Sequence, residues 1–412
     1  MTNDRASLAR AWADADPEPT TAEALKSIVR SGDSKALDDC FEPPLEFGTA
    51  GLRAIVGPGP ARMNLAVIRR VTRALSEVAT QRATSASKPA SVSVVLGFDG
   101  RLDSRRFAAE AVGVLAASNA SVRFFDEPVP TPVVAFAAQR LATSAAVVVT
   151  ASHNPPEYNG YKVYGADGIQ IVPPFDWEVT DAIARLGAAK DIPCDESAFV
   201  GASPLASRID SSIGDAYVDA VLNGRANCAV AQPIRIAYTP LHGVGAAWME
   251  RVLARAGYSN VFVEPSQREV DGTFPTVRFP NPEEPSTLER GIKLARDKQA
   301  DVLLVNDPDA DRLGAAIREH DGSLRILSGN ELGLILTDYL LSRSCDPKRA
   351  AVTTTIVSSP MVGKVVQSYG AHLETTLTGF KWLWTAMKTL VEQRSKIFAI
   401  CWEEALGYST HS

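Results

Sequence analysis

The sequence predicts an α/β protein of three consecutive domains with mixed, mostly parallel sheets. Three observations lead there. Short β-branched runs alternate with helical segments, each run ends in a polar or glycine-bearing loop, and two linker-like stretches divide the chain. Strands that alternate with helices form βαβ units and parallel sheets, and such sheets collect ligands beyond the carboxyl ends of their strands.

Taken in order, residues 1–40 read as helical, with Leu8, Trp12, Leu25, Ile28, Val29 and Leu37 at loosely helical spacing. DPEPTT breaks this run and offers Thr20 or Thr21 as a cap. FGTAGLRAIVGPGPARMN is rich in glycine and proline, and LAVIRRVTRALSEVATQRA after it has helical period. From there SVSVVL runs into GFDGRLDS, AAVVV into TASHNP and IRIAY into TPLHGVG. VLLV runs into NDPDADR, AVTTTIV into SSP and IFAI into CWEEALG. SAFVGASPLASRID (197–210) and EHDGSLRILSGNE (319–331) read as linkers. The domains expected are 1–205, with N-terminal helices and the TASHNP loop, 206–320, with NDPDADR, and 321–412.

A chain of 412 residues is too long for one ordinary core. Its 45% hydrophobic and 22% charged content is that of a globular protein. The net charge of -6 and the absence of any Lys/Arg block exclude a general nucleic-acid binder. Cys40, Cys194, Cys228, Cys345 and Cys401 are widely spaced and form no CxxC pair, which argues against disulfides or zinc and for a reducing compartment. The N-terminus has no apolar core of a signal peptide, and no apolar run reaches the roughly 18 residues of a membrane helix. The expectation is a soluble cytoplasmic protein with no nucleic-acid or membrane partner.

The sharpest chemistry lies in NDPDADR, where Asp307, Asp309 and Asp311 alternate after an apolar run. Carboxylates crowded together repel, and a divalent cation removes that cost. All-oxygen ligation favours Mg²⁺, Mn²⁺ or Ca²⁺ over zinc. An EF-hand is excluded, because Arg312 stands where glycine is needed and Arg318 where glutamate is needed. The alternative is a solvated acidic turn; the position directly behind a buried strand favours metal.

TASHNP holds Ser152 and lacks the G-x-S-x-G of a hydrolase elbow. Alone, such a serine is a turn residue or a helix cap. Beside Mg²⁺, its hydroxyl can carry a phosphoryl group whose oxygen completes the metal shell. Lys162, in EYNGYKVYGADG, reads as a surface lysine on an Asn-Gly turn. Arg53 follows two glycines and suits phosphate, or is an exposed arginine on a structural loop. Glu403 and Glu404 suit the vicinal hydroxyls of a sugar, or simply start a helix. Asp99, Arg101 and Ser104, His242, and Thr378, Gly379 and Lys381 lie on supporting loops.

FGTAGLR, TASHNP, DPDADR, LTGFKW and WEEALG, in this order from about residue 45 to 408, resemble the α-D-phosphohexomutases. The resemblance is closest to the branch with phosphoglucomutase/phosphomannomutase and phosphopentomutase-like enzymes. It implies domains arranged around a central cleft, and a mutase that interconverts a hexose 1-phosphate and 6-phosphate, or pentose 1- and 5-phosphate. Ser152 would be the phosphoserine, and Asp307, Asp309 and Asp311 would bind Mg²⁺ together with its phosphate. Arg53, His153, Lys162 and Arg312 would line the reacting site, with Lys162 or His153 as acid/base. Thr378, Gly379, Glu403 and Glu404 would hold the phosphosugar, and a sugar 1,6-bisphosphate would be both intermediate and activator.

One departure stands out. Chains of the family run past the EExxG loop into a fourth domain that grips the non-reacting phosphate, whereas this sequence stops at GYSTHS. The resemblance therefore implies C-terminal truncation, with the fourth domain absent, turnover depressed and some apolar surface uncovered. A monomer or weak dimer is expected. Two rivals stay open: a non-catalytic phosphosugar-binding remnant, and a leaky phosphosugar phosphatase.

Overall fold

A computed structural model describes residues 2–48, 51–85, 92–224 and 233–410. Thr49 and Ala50 of FGTAGLR, Cys228, and His411 and Ser412 of GYSTHS lie outside the described residues. The chain divides into two compact units, Met1–Asp210 and Ser211–Ser412.

The first unit opens with α1 (Thr2–Ala15), α2 (Pro19–Ser31) and α3 (Ser34–Asp39), closed around Ala9, Ala13, Leu25, Leu37 and Cys40. The expected threonine cap is corrected here. Pro19 is the first residue of α2, where its missing N–H costs nothing and its fixed φ suits a helix, and Thr21 Oγ1 donates instead to Asp16 Oδ2. Then follow β1 (Leu52–Ile55), α4 (Leu65–Ser85), β2 (Ser93–Phe98), α5 (Ser104–Ala117), β3 (Ser121–Phe124), α6 (Thr131–Arg140), β4 (Ala145–Val149), β5 (Tyr158–Gly165), α7 (Phe175–Arg185) and β6 (Ala206–Arg208). They build a six-stranded sheet of order β1-β5-β4-β2-β3-β6, parallel except for β5, which runs against both of its neighbours. β4 is AAVVV and is buried at every position, as a strand covered on both faces must be. The stretch expected as a linker, 197–210, contributes β6 to this sheet instead, since Val122 N–H donates to Leu205 O and extends the β3 ladder.

The second unit carries α8 (Ser211–Asn223), β7 (Arg235–Thr239), α9 (Ala246–Arg255), β8 (Asn260–Val263), α10 (Glu289–Asp297), β9 (Val302–Asn306), β10 (Leu313–Arg318) and β11 (Leu324–Leu327). Their sheet has the order β11-β10-β9-β7-β8, with β7, β8 and β9 parallel and β10 running against both β9 and β11. The second expected linker, 319–331, is thus a hairpin turn, β11 and the start of a helix. Ser328 begins that helix with a reciprocal capping box to Glu331.

A further sheet in the same unit comes from α11 (Gly329–Ser342), β12 (Ala350–Thr355), α12 (Met361–Ser368), β13 (His372–Thr376), α13 (Phe380–Arg394), β14 (Ile397–Glu403) and β15 (Gly407–Ser409), in strand order β13-β12-β14-β15. Leu313 N–H donates to Leu406 O and joins the two sheets of this unit. Six strands read from the sequence, around SVSVVL, AAVVV, IRIAY, VLLV, AVTTTIV and IFAI, are β2, β4, β7, β9, β12 and β14. Among the described residues no helix is long and apolar enough to cross a membrane. Cys40, Cys194, Cys345 and Cys401 are free thiols.

Trp402 is fully buried between β14 and α11, where a Cβ on Gly333 would come within 2.3 Å of its ring. Trp402→Ala should cost about 3–5 kcal/mol in urea unfolding; a loss below about 1 kcal/mol would show that this contact does not hold the sheet.

Candidate active site

In the first unit, the loop after β4 is TASHNP. Ser152 sits in the left-handed region at φ 51 and is almost fully buried. A non-glycine residue held there stores strain, and such strain collects at functional sites. Its amide donates to Thr150 Oγ1 at 2.8 Å, and its Oγ lies 3.2 Å from His153 Nδ1. That distance lets a proton pass between the two side chains.

Lys162 corrects the surface-turn reading. Asn159 and Gly160 run inside β5, and Lys162 pairs with Val148 of β4 and is only 3% exposed. The reason is crowding on both sides: a Cβ at Gly160 would meet the carbonyl oxygens of Leu52 and Thr150 at 2.5 Å. Only glycine lets β1 and the serine loop close on this strand. Arg53 pairs with Gly160 across the β1–β5 ladder, and its guanidinium donates to Asn154 Oδ1 at 3.3 Å. Arg53, Ser152, His153 and Lys162 therefore occupy one end of one sheet. Asn154 and Thr150 belong to the same cluster, and no spacing in the sequence singled them out.

In the second unit, the loop between β9 and β10 carries Asp307, Asp309 and Asp311. One carboxylate oxygen of each lies within 4.8 Å of the others, and the first two are fully buried. The loop is tightly built. Ala310 adopts φ 54, Arg312 N–H donates to Asp307 Oδ1 at 3.1 Å, and Asn306 accepts from the buried Tyr238 hydroxyl at 3.0 Å. Gly243 must be glycine, because a Cβ would lie 2.4 Å from Pro308 Cα. A close, buried set of oxygen donors fits a hard divalent cation such as Mg²⁺ or Mn²⁺.

Arg312 and Glu403 stand beside this cluster. Burial would lower the Arg312 pKa, but Asp307, Asp311, Glu283 and Glu403 outweigh it and raise it. Glu403 is pushed up to about 7, chiefly by burial; Arg312 opposes this, while Asp311 and Glu404 add to it. The Gly379 amide also donates to Glu403, and Glu403 Oε2 is buried without a hydrogen-bond partner among the described residues. Gly379 takes φ 118 and starts α13, and Thr378 beside it is exposed. Glu404 is held differently: its Oε2 accepts from Thr355 Oγ1 at 2.8 Å and Ser358 Oγ at 2.9 Å. The SSP loop noted in the sequence is the signal for Ser358; nothing marked Thr355 or Glu283. Of the supporting loops, His242 is buried with Nε2 2.8 Å from Thr276 Oγ1, and Lys381 is buried in α13. The expected site residues thus fall into two groups, one in each unit.

These are α/β sheets that present cationic side chains and a cluster of three carboxylates that could hold a metal ion at the ends of their strands. The chain matches sequence models of the phosphoglucomutase/phosphomannomutase α/β/α domains I, II and III over residues 44–190, 215–322 and 328–412. It is 34% identical to the phosphopentomutase of Homo sapiens over 413 residues, covering 96% of this chain and 67% of that one. It is 33% identical to the phosphoglucomutase of Staphylococcus haemolyticus, covering 89% and 65%, and 32% identical to the glucose 1,6-bisphosphate synthase of Pongo abelii, covering 96% and 66%. The fold is shared with a phosphoglucomutase/phosphomannomutase family protein from Burkholderia thailandensis, with TM-score 0.68, 22% identity and coverage of 88% and 71%. The chain belongs to the phosphoglucomutase/phosphomannomutase family of phosphosugar mutases. It spans about two thirds of the length of the curated relatives named here.

The Glu403 shift sets a sign. Its folded-state pKa lies above the ordinary carboxylate value of 4.5, so the folded state favours the protonated form, and its contribution to stability falls as pH rises from about 4.5 to 7. Glu403→Gln should therefore raise the Tm relative to wild type at pH 8, with the gain shrinking by pH 5, in buffer with chelator. An equal or opposite difference at pH 8 would contradict the burial of this carboxylate.

Proposed function

We propose that the chain is a phosphosugar mutase acting through a phosphorylated Ser152, with Asp307, Asp309 and Asp311 holding Mg²⁺. The observation that carries this reading is that a chain of this family holds a strained, buried serine next to His153 in one unit and a compact cluster of three carboxylates in the other. When bound, the cation would be held by Asp307, Asp309 and Asp311 and would supply charge neutralisation for phosphoryl oxygens.

The chain's own residues do the rest. Phosphorylated Ser152 gives its phosphoryl group to a sugar hydroxyl; the P–Oγ bond breaks and a P–O bond to the sugar forms. The hydroxyl proton leaves to His153 or Lys162, and Ser152 Oγ takes a proton in exchange. The sugar 1,6-bisphosphate formed then returns its other phosphoryl group to Ser152, so no water is consumed and the net result is isomerisation. Arg53 and Arg312 bind phosphoryl oxygens with planar forks of donors. Glu403 grips a sugar hydroxyl through its carboxylate, with Thr378 and Gly379 on the same rim, and Glu404 fixes the loop of Thr355 and Ser358 as well as contributing to the sugar site. Similarity to a glucose 1,6-bisphosphate synthase supports a sugar bisphosphate as activator. The three sheets define three parts, with β6 belonging to the first and β11 to the second, so the divisions fall after those strands rather than at 205 and 320; the free thiols among the described residues support a cytoplasmic location.

Intact mass measurement after incubation with glucose 1,6-bisphosphate and Mg²⁺ should show one added phosphoryl group on the wild-type chain and none on Ser152→Ala. Equal uptake by both, or none by the wild type, would overturn the assignment.

A further inference from the structure

The serine loop has a second feature that the proposed chemistry does not use. Its backbone is folded around a buried guanidinium. Arg101 lies in the loop after β2, with a side chain 1% exposed, and its donor fork reaches the serine loop and its support. Nη2 donates to the carbonyls of Ser152 and Asn154, each at 2.6 Å. Nη1 donates to the carbonyls of Pro155 at 2.8 Å and Tyr158 at 3.1 Å. Nε donates to Asp99 Oδ2 at 3.2 Å.

Asp99 ties the same loop from its other side. Its Oδ2 accepts from Thr150 Oγ1 at 2.7 Å, and Thr150 Oγ1 in turn accepts the Ser152 amide. Its Oδ1 accepts from Ser104 Oγ at 2.6 Å, and Ser104 Oγ accepts from Asn159 Nδ2 at 3.0 Å. Both ends of the residue that carries the hydroxyl are therefore fixed, its N–H through Thr150 and Asp99, its C=O through Arg101.

Buried carbonyls that converge on one point need a donor there, and four of them need a planar group with several N–H bonds. Lysine has the charge but not the fork. The unfavourable φ of Ser152 persists only if its surroundings over-determine it, and these bonds do so. The charge of Arg101 is matched by Asp99, so its effect on the reaction is geometric.

We infer that Arg101, with Asp99, is a positioning residue that sets the Ser152 loop for phosphoryl transfer without touching the substrate. This rests on the phosphoserine reading above. Misplacing a reacting oxygen by a fraction of an ångström slows transfer far more than it weakens binding.

The test uses Arg101→Lys in the full chain, because Arg101→Ala would strand the buried Asp99 carboxylate and threaten the sheet. Phosphoryl uptake by Ser152 from glucose 1,6-bisphosphate is followed by intact mass against time. The maximal rate should fall at least about tenfold while the half-saturating bisphosphate concentration stays within about twofold. Amide hydrogen exchange should rise over residues 150–158 and stay unchanged in α4 and β3. Asp99→Asn, which keeps the acceptor for Thr150 but not the charge, should show the same pattern more weakly. Uptake by Arg101→Lys at the wild-type rate, or unchanged exchange over 150–158, overturns the inference alone. A general loss of protection across the first unit also overturns it, since the role would then be merely structural. A wild-type chain that takes up no phosphate overturns the phosphoserine reading instead.

Discussion

Mutual repulsion of three carboxylates is the constraint around which the second unit is organised. Asp307 and Asp309 are fully buried, and Asp311 lies close to both. Taking carboxylates out of water is costly unless opposite charge accompanies them. The loop answers with Arg312 and with a geometry suited to a cation. Its shape is secured from outside by Gly243, which leaves room for Pro308, and by the Tyr238 hydroxyl on Asn306. The charge of the cluster reaches Glu403 across the next sheet, where Asp311 and burial together favour the protonated acid.

The first unit solves the complementary problem with backbone strain rather than with charge. Ser152 is left-handed directly after β4. Leu241 and His242 adopt the same conformation after β7, and Ala310 does so after β9. In each case, the last two in the second unit, a loop turns within a few residues of a strand end, and it sets a polar side chain (Ser152, His242 or Asp309) at the carboxyl edge of a sheet. Hydroxyls repeat as local anchors: Thr150 Oγ1 accepts from the Ser152 amide, and Thr239 Oγ1 accepts from the Leu241 amide. The sheets supply rigidity, and the short loops convert it into placement.

Much of this was legible in the sequence, and for physical reasons. Fully buried parallel strands favour small and β-branched residues, so AAVVV of β4 and AAVTTT of β12 declare themselves. The alternation of aspartates and the motifs of the family marked both groups of site residues. What escaped depended on contacts distant along the chain. Asn-Gly usually means a hairpin turn, yet at 159–160 the glycine admits the backbones of β1 and the serine loop, and Lys162 is buried as a result. The linkers at 197–210 and 319–331 looked polar because β6 and β11 are short strands at sheet edges. Arg101 looked like one arginine in a supporting loop; its four carbonyl acceptors lie more than fifty positions onward. Glu403 and Glu404 looked like an equivalent pair, and only packing separates the buried acid beside Arg312 from the one held by Thr355 and Ser358.

The central claim is that a dication held by the aspartates enables phosphoryl transfer at Ser152. Its most direct test is the rate at which Ser152 takes a labelled phosphoryl group from glucose 1,6-bisphosphate, measured in Mg²⁺ and again after chelation, for wild type and Asp309→Asn. The account predicts rapid labelling only for the wild type in Mg²⁺, with chelation and the substitution each reducing it to a similar low level. Labelling at the same rate without divalent cations, or with Asp309 replaced, would contradict it.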